Sequence, residues 1–415
     1  MNRLIRVKRI IIACAVTVLM VGAPQVYARQ IGPEANVCAE MNRLNPGEEL
    51  VLLPGRYRGP CSIRKGGVPG RPIAIRSLDL ERPAVLVYTG RTANVLDIKA
   101  DHVVIRGLVL EAHQREADGI RIYARDGVLI EDCQFLKLGG IAIVANHFSA
   151  SKIIVRRNTI KQSGSTAMYF GCHDGKACAI SDLVIENNYI HGVMAPDPEI
   201  GYGIQVKLNS SAVIRDNVIV NTKGPGIMVY GSQNRDLPSL IERNFVQGST
   251  NAAGIVIGGG PAKVYNNISI ANSEGGIQLQ DYGKRGLLRD IIVSHNTMYD
   301  NERGGLVVST TDRVEAEIVF NAIASIPGKV ALPGAREGLR MRDNRDCSDV
   351  PCFVDAKDRN FTPLMKSPLL AVQQSEENRD IPKDDFFGRS RGLNRAVGAV
   401  EPPGAAVVLG LKVRN

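Results

Sequence analysis

One asparagine recurs through the middle of the chain, each time inside the string apolar-x-x-Asn-x-apolar. The copies are VRRNTI, IENNYI, IRDNVI, IERNFV, VSHNTM and IVFNAI, with a weaker one, VYNNIS, among them. They place Asn158, Asn188, Asn217, Asn244, Asn267, Asn296 and Asn321 at spacings of 30, 29, 27, 23, 29 and 25 residues. Two earlier turns put Cys133 (IEDCQF) and Gly107 (VIRGLVL) at the same place. A second string, Gly-apolar-x-apolar-x, runs in register with the first. It opens at Gly119, Gly140, Gly203, Gly226, Gly254, Gly276 and Gly305, with AMYFG from Ala167 as its variant.

Each unit therefore holds short strands of period-two alternation separated by turn residues. A unit this small cannot bury its apolar face alone, but stacked units share one core, which makes each repeat one coil of a solenoid. Asn at one fixed place suits a turn, because it tolerates left-handed φ and its amide can bond to the coils above and below. A leucine-rich repeat is excluded. The period varies, helical segments are missing and Leu does not dominate. The expected fold is all-β, a parallel β-helix in one continuous domain rather than the two or three that 415 residues would otherwise suggest.

An open solenoid needs caps at both ends. The amphipathic stretch from Val37 to Leu44, followed by LNPGEELVLLPGRY and GRPIAIRS, reads as a small helix and incomplete first coils over 29–92. Coils are expected over 93–326. Residues 327–405 read as loops and an extended tail packed along the last coils, and 406–415 as a flexible end.

Residues 1–28 read as a secretory signal. Arg3, Arg6, Lys8 and Arg9 precede an apolar run from Ile10 to Val21 that is short for a membrane span, and Val26-Tyr27-Ala28 offers small residues where a signal peptidase reads. No later segment is long and apolar enough to cross a bilayer. Without this segment the formal charge falls from +9 to +5, that is 47 basic minus 42 acidic residues. A mildly basic surface suits an anionic partner. Nucleic acid fits poorly, since the basic residues form no block and no binding motif is present. The cysteines fit an oxidising, extracytoplasmic compartment, periplasmic or secreted. The simple local pairing is Cys38–Cys61, Cys172–Cys178 and Cys347–Cys352, leaving Cys133 as a buried thiol within a strand. No Cys/His spacing points to zinc.

Taken together, the pre-helix segment, the Asn coils and the tail SPLL…DDFFGRSRG…VGAVEP resemble secreted bacterial right-handed parallel β-helix proteins, in which carbohydrate-active enzymes predominate. The resemblance covers about 35–405. It is nearest to alginate and chondroitin lyases of the polysaccharide lyase 6 type. Those proteins share the N-terminal strand and a Lys on an exposed strand two residues before a turn, like Lys207 in GIQVKLNSSAVIRDNVI. They also carry, on the next coil, an Arg one residue before a basic residue and Gly. Here Val229 and Tyr230 stand in those places, so the catalytic Arg is not at its expected site. Some of those lyases use calcium. The resemblance leaves calcium open, although no carboxylate cluster stands out for it.

Alternation sends the x positions of Gly-I-x-I-x outward. Coil by coil these are Arg121 and Tyr123, Ala142 and Val144, Tyr169 and Gly171, Gln205 and Lys207, Met228 and Tyr230, Val256 and Gly258, Gln278 and Gln280, Val307 and Ser309. Stacked coils turn them into a strip several sugar units long. Two loops interrupt the repeat beside it. One is GCHDGKAC, with His173, Asp174 and Lys176; the other is MAPDPEIGY, with Glu199 and Tyr202. Long loops on a rigid scaffold often carry function.

Cleaving a uronate polymer by β-elimination needs a cation to neutralise the carboxylate, a base for the C5 proton and an acid for the leaving oxygen. Lys207 can be neutraliser or base, Tyr230 or Tyr169 acid or base, and His173 base. Gln205, Gln278, Gln280, Asp281, Asp174, Lys176, Glu199 and Tyr202 are candidate sugar contacts, with Arg121 and Tyr123 holding distant sugars. Each has a plain alternative: a solvated lysine, tyrosines packed across strands, an ordinary loop histidine. Hydrolysis would need two carboxylates across the scissile bond. Asp174, Glu199 and Asp281 are nearby, yet none forms an evident pair. The leading expectation is a monomeric lyase or C5-epimerase acting on an acidic polysaccharide. The alternatives are a non-catalytic glycan-binding or export-associated protein and a glycoside hydrolase.

Overall fold

The computed structural model describes residues 27–411 apart from 91–92, 283–285, 311, 335, 371–381 and 393–394. The proposed signal segment lies outside the described residues up to Val26. From Ala28 the chain is already in a strand, Ala28–Ile31, paired with Glu49–Leu52.

Short strands stack into three parallel sheets of 13, 12 and 10 strands among the described residues. The chain visits the sheets in turn, so each strand pairs with its equivalent one coil away. In the first sheet Val155, Ile185, Ile214, Ile241, Val264, Val293 and Ile318 form one unbroken register column. Every member of that column is fully buried. Inward side chains of all three sheets merge into a single apolar core running the length of the stack.

The asparagines line a corner between the first and second sheets. Each donates its backbone N–H and its Nδ2 to the Oδ1 of the next, as in Asn217 to Asn244 at 3.1 and 2.9 Å. The Nδ2 also donates to a carbonyl one coil back, Ile185 in that case at 2.9 Å. The ladder takes in Asn344 as well, one coil beyond the repeat visible in sequence, where the flanking MRDNRD hides the apolar frame.

The structure corrects two details of the repeat. The left-handed residue is the one before each ladder position: Arg157, Asn187, Asp216, Arg243, Asn266, His295, Phe320 and Asp343 all have φ between 53° and 57°. The ladder Asn is therefore selected for its amide, not for its φ. Register also pairs Ile105 with Ile130 and Arg106 with Glu131. Leu108, not Gly107, then stands level with Cys133. Gly107, at φ 69°, fills the left-handed place. Cys133 begins the ladder by donating its N–H to Asn158 Oδ1 at 3.0 Å. Burial pushes its thiol up to about 12, which leaves it a protonated packing residue.

At the N-terminal end the helix Val37–Met41 is capped by Asn36, which accepts from Ala39 N–H. Val37, Met41 and Leu44 enter the core and close the first coil. Cys38 and Cys61 form a disulfide there. The C-terminal tail covers part of the outer face of the second sheet, where Phe361, Phe386, Val400 and Val407 pack on Val218, Phe245 and Ile268. Val407 also bonds to Arg359, so the chain is still docked at this point of the expected free end. No helix among the described residues is long and apolar enough to cross a membrane.

Candidate functional site

The third sheet presents its outer face where the sequence strip was expected. Its register column runs Arg121, Val144, Tyr169, Gln205, Met228, Val256, Gln278, Val307. Val144, not Ala142, stands beside Arg121. Ala142 lies in the core, because it precedes the strand Ile143–Ala145 and sits in the bend that leads into it, outside the alternation.

Lys207 follows Gln205 by two residues and belongs to the adjacent column. Its ammonium sits 4.3 Å from the ring centre of Tyr230 and 5.6 Å from that of Tyr169. Two glycines make the room. At Gly171, with φ 92°, a Cβ would come within 3.0 Å of Lys207 Cβ. At Gly258 a Cβ would meet Met228 at 2.8 Å and the rings of Tyr282 and Tyr230 at 3.3 and 3.4 Å. The site is roofed, contrary to the open strip that alternation implied. Lys207 is only 2% exposed and Tyr230 3%. Alternation fixes which side of a sheet a residue takes, while exposure depends on what folds over it. Here Tyr202, from the 194–202 loop, and Tyr282 close over Met228, Val256 and Tyr230.

The tyrosines form a connected group. Tyr230 and Tyr282 ring centres are 5.4 Å apart. Tyr202 bonds through its hydroxyl to Tyr230, and burial together with the Tyr230 phenol pushes Tyr202 well above the ordinary tyrosine range. Burial and Tyr230 push Tyr282 up likewise. Burial thus favours the neutral phenol on both, which suits them to donate hydrogen bonds.

Beside this group lies a groove of about 570 Å³. Of the sequence candidates, Glu199, Tyr202, Gln278 and Gln280 line it. Gln280 accepts from the Tyr282 hydroxyl at 3.0 Å, and Gln278 donates to Ser309 at 2.8 Å. Sequence reasoning missed Tyr282, Lys223, Glu274 and Arg303, which also line the groove. The last three share a signal: each is the charged residue just before a glycine that leads into a third-sheet strand, in TKG, SEG and ERG. Lys223 reaches Asp197 Oδ1 and the Glu199 carbonyl, both at 2.6 Å, and thereby fixes the loop that forms one wall. Arg303 pairs with Glu274 at 3.1 Å.

The remaining candidates stand elsewhere. His173 and Lys176 are exposed on the loop closed by the Cys172–Cys178 disulfide, and neither lines the groove. Asp174 turns back to accept from Lys176 N–H and Ala177 N–H at 3.0 and 3.1 Å. These backbone bonds, Ala177 first, hold its carboxyl below the ordinary value. Asp281 faces a separate hollow with Arg235 and Arg313. The three carboxylates considered for hydrolysis thus occupy three different places. Arg121 is engaged by Asp118, Asn94 and Asn146. Among the described residues no three His, Cys, Asp or Glu side chains gather in one place.

A family model described as a right-handed beta helix region matches residues 179–332. The chain is a right-handed parallel β-helix. Its fold is similar to that of XylC solved with xylose, at TM-score 0.60 and 10% identity over 91% of this chain and 98% of that one. It is similar also to pectate lyase Pel9A, at TM-score 0.53 and 15% identity over 91% and 97%. The A-module of the Azotobacter vinelandii mannuronan C-5 epimerase AlgE4 aligns at TM-score 0.51 and 15% identity over 72% and 87%. At these identities the likeness is one of fold. No curated protein matches the sequence. The disulfides Cys38–Cys61, Cys172–Cys178 and Cys347–Cys352 are formed, and Cys133 is free and buried.

Proposed function

We propose that this β-helix is an exported polysaccharide-active protein, and that it acts as a lyase or C5-epimerase on a uronate-containing glycan held against the third sheet. The observation that carries this reading is the Lys207 ammonium packed between Tyr169 and Tyr230, with the protonated phenols of Tyr202 and Tyr282 alongside. A fixed cation in a water-poor site is worth far more to a sugar carboxylate than the same charge in solvent. Neutralising that carboxylate acidifies the C5 proton. With Lys207 held as that cation, Tyr169 or Tyr230 acting as the phenolate removes the proton, and a neutral phenol protonates the departing oxygen in elimination or returns a proton to C5 in epimerisation. Gln280, Gln278 and Ser309 supply hydrogen bonds to sugar hydroxyls. Asp174 and Asp281 stand away from the groove, and of the carboxylates that line it Asp197 is held by Lys223 and Glu274 by Arg303, which speaks against a hydrolase, since that needs two available carboxylates facing across one bond. The three disulfides support export to an oxidising compartment.

The burial of Lys207 favours a second reading, in which the groove binds glycan without cleaving it. One experiment separates them. Purified protein is incubated with polygalacturonate, alginate and chondroitin, recording ultraviolet absorbance for unsaturated ends and proton NMR for epimers. Product that vanishes in Lys207→Met supports catalysis. Polymer retarded in affinity gels equally by wild type and Lys207→Met, with no product, supports binding alone. Neither product nor retardation rejects both.

A further inference from the structure

A second cluster, this one exposed, lies on the same face, several coils toward the N-terminus. Tyr123 and His147 meet edge to face with ring centres 4.8 Å apart, and His147 meets Phe148 at 6.1 Å. Two cations rest on these rings. Lys99 Nζ is 5.3 Å from the centre of Tyr123, and Arg125 Cζ is 4.5 Å from that of Phe148. His147 and Arg125 are exposed, and Phe148 is 40% exposed, the reverse of the roofed Lys207 group. Aromatic faces edged by cations match a pyranose ring that carries a carboxylate. Its apolar C–H face stacks on a ring while its charge meets the cation.

The position adds to the chemistry. The loop bearing His147 and Phe148 abuts the stapled loop, since Cys172 Sγ contacts the Asn146 carbonyl at 3.1 Å and Ala179 N–H bonds Ser149 Oγ at 3.1 Å. The stapled loop is tied in turn to the coil of Lys207 by Asn209 Nδ2, which donates to the Gly175 carbonyl at 3.1 Å. His173 and Lys176 stand exposed between the two ends. Tyr123 and Lys207 are three coils apart, roughly 14 Å at the spacing of parallel strands. That is a stretch of several sugar units. It has cationic side chains along it and an aromatic shelf at its far end.

We infer that Tyr123, His147 and Phe148, with Arg125 and Lys99, form a distal subsite for an acidic sugar of the same glycan chain that enters the groove. This rests on the groove reading above. The test measures dissociation constants by calorimetry for oligogalacturonates and oligomannuronates from disaccharide to octasaccharide. The proteins compared are wild type, Arg125→Ala/Phe148→Ala and Gln280→Ala. Both platform residues are exposed, so their truncation leaves the core intact. Wild type gains about tenfold in affinity once the oligomer spans both sites, and the platform variant loses that gain while binding the disaccharide as before. A length-dependent gain that survives in the platform variant, or wild-type affinity that is flat with length, overturns the subsite and leaves the groove standing. Absence of binding by wild type at every length overturns the groove and the subsite together.

Discussion

Two of the stacks of polar side chains buried in this solenoid are built on opposite logic. From Asn158 onward in the asparagine ladder every rung is the same residue, and each rung's Oδ1 accepts from the backbone N–H and Nδ2 of the rung before it. Translation by one coil satisfies every group, so the ladder needs no loop or cap along its length. On the outer face of the third sheet, Gln205, Lys207 and Gln278 are almost as deeply buried, yet no two coils repeat. Lys207 rests on the rings of Tyr169 and Tyr230 and Gln278 donates to Ser309, while Tyr202 from the 194–202 insertion and Tyr282 beyond the end of a strand close over the neighbouring Met228, Val256 and Tyr230. A repeating stack stabilises a scaffold. A non-repeating stack that is buried by insertions gathers different chemistry at one place.

That contrast predicts different costs. Lys207→Met keeps the length of the side chain and removes the charge. Turnover of the uronate polymer falls by roughly 10²–10⁴, the range for a group that assists proton transfer, while the melting temperature holds or rises. Steady-state kinetics beside a thermal melt checks both halves. A variant that loses stability and keeps turnover would assign Lys207 to the scaffold. Asn244→Ala should do the opposite. It removes the acceptor for the backbone N–H and Nδ2 of Asn217 and the donors to Ile214 and Asn267. Stranding buried groups costs about 1–3 kcal/mol each, so a loss of about 3 kcal/mol in urea denaturation is expected after partial relaxation, with activity per folded molecule unchanged.

A third stack, of charges, falls between these cases. Burial alone would raise Glu131, but its bonds from Arg156 and Arg106 outweigh that and hold it below the ordinary glutamate value. A depressed carboxyl contributes stability that is fully present above the unfolded-state value near ~4.3 and is lost as pH falls through the folded one. The stability gap between wild type and Glu131→Gln, measured by denaturation at neutral and acid pH, therefore narrows on acidification. A gap that widens in acid would contradict the pairing.

The ladder was legible in the sequence because its cause is local. The same amide is needed at the same place on each coil, so selection writes the same letter. Even so, its last rung at Asn344 was hidden by charged neighbours, and the left-handed φ belonged one residue earlier. The outer face was legible only as to side. Gln205, Lys207 and Tyr230 do point outward, and Lys207, Tyr169 and Tyr230 do meet. Their burial could not be read, because it depends on where the 194–202 insertion returns. Lys223, Glu274 and Arg303 escaped notice since they precede the glycine-led strands, outside the alternation that was being followed.

The smallest expected effect is the sharpest probe of the roof. Tyr202 both lines the groove and bonds Tyr230. Tyr202→Phe retains the ring, so the packing over Met228 and Val256 survives and only a hydroxyl is lost. A neutral hydrogen bond contributes about 1 kcal/mol, which corresponds to roughly fivefold in glycan affinity if that hydroxyl also meets the sugar. Because burial keeps this phenol protonated well above the ordinary range, the loss should be the same at pH 6 as at pH 9. Titration of glycan into both proteins at those two values decides it. A loss confined to the alkaline side would mean the phenol ionises in the working range, and Tyr202 would then be a candidate base, no longer a fixed donor.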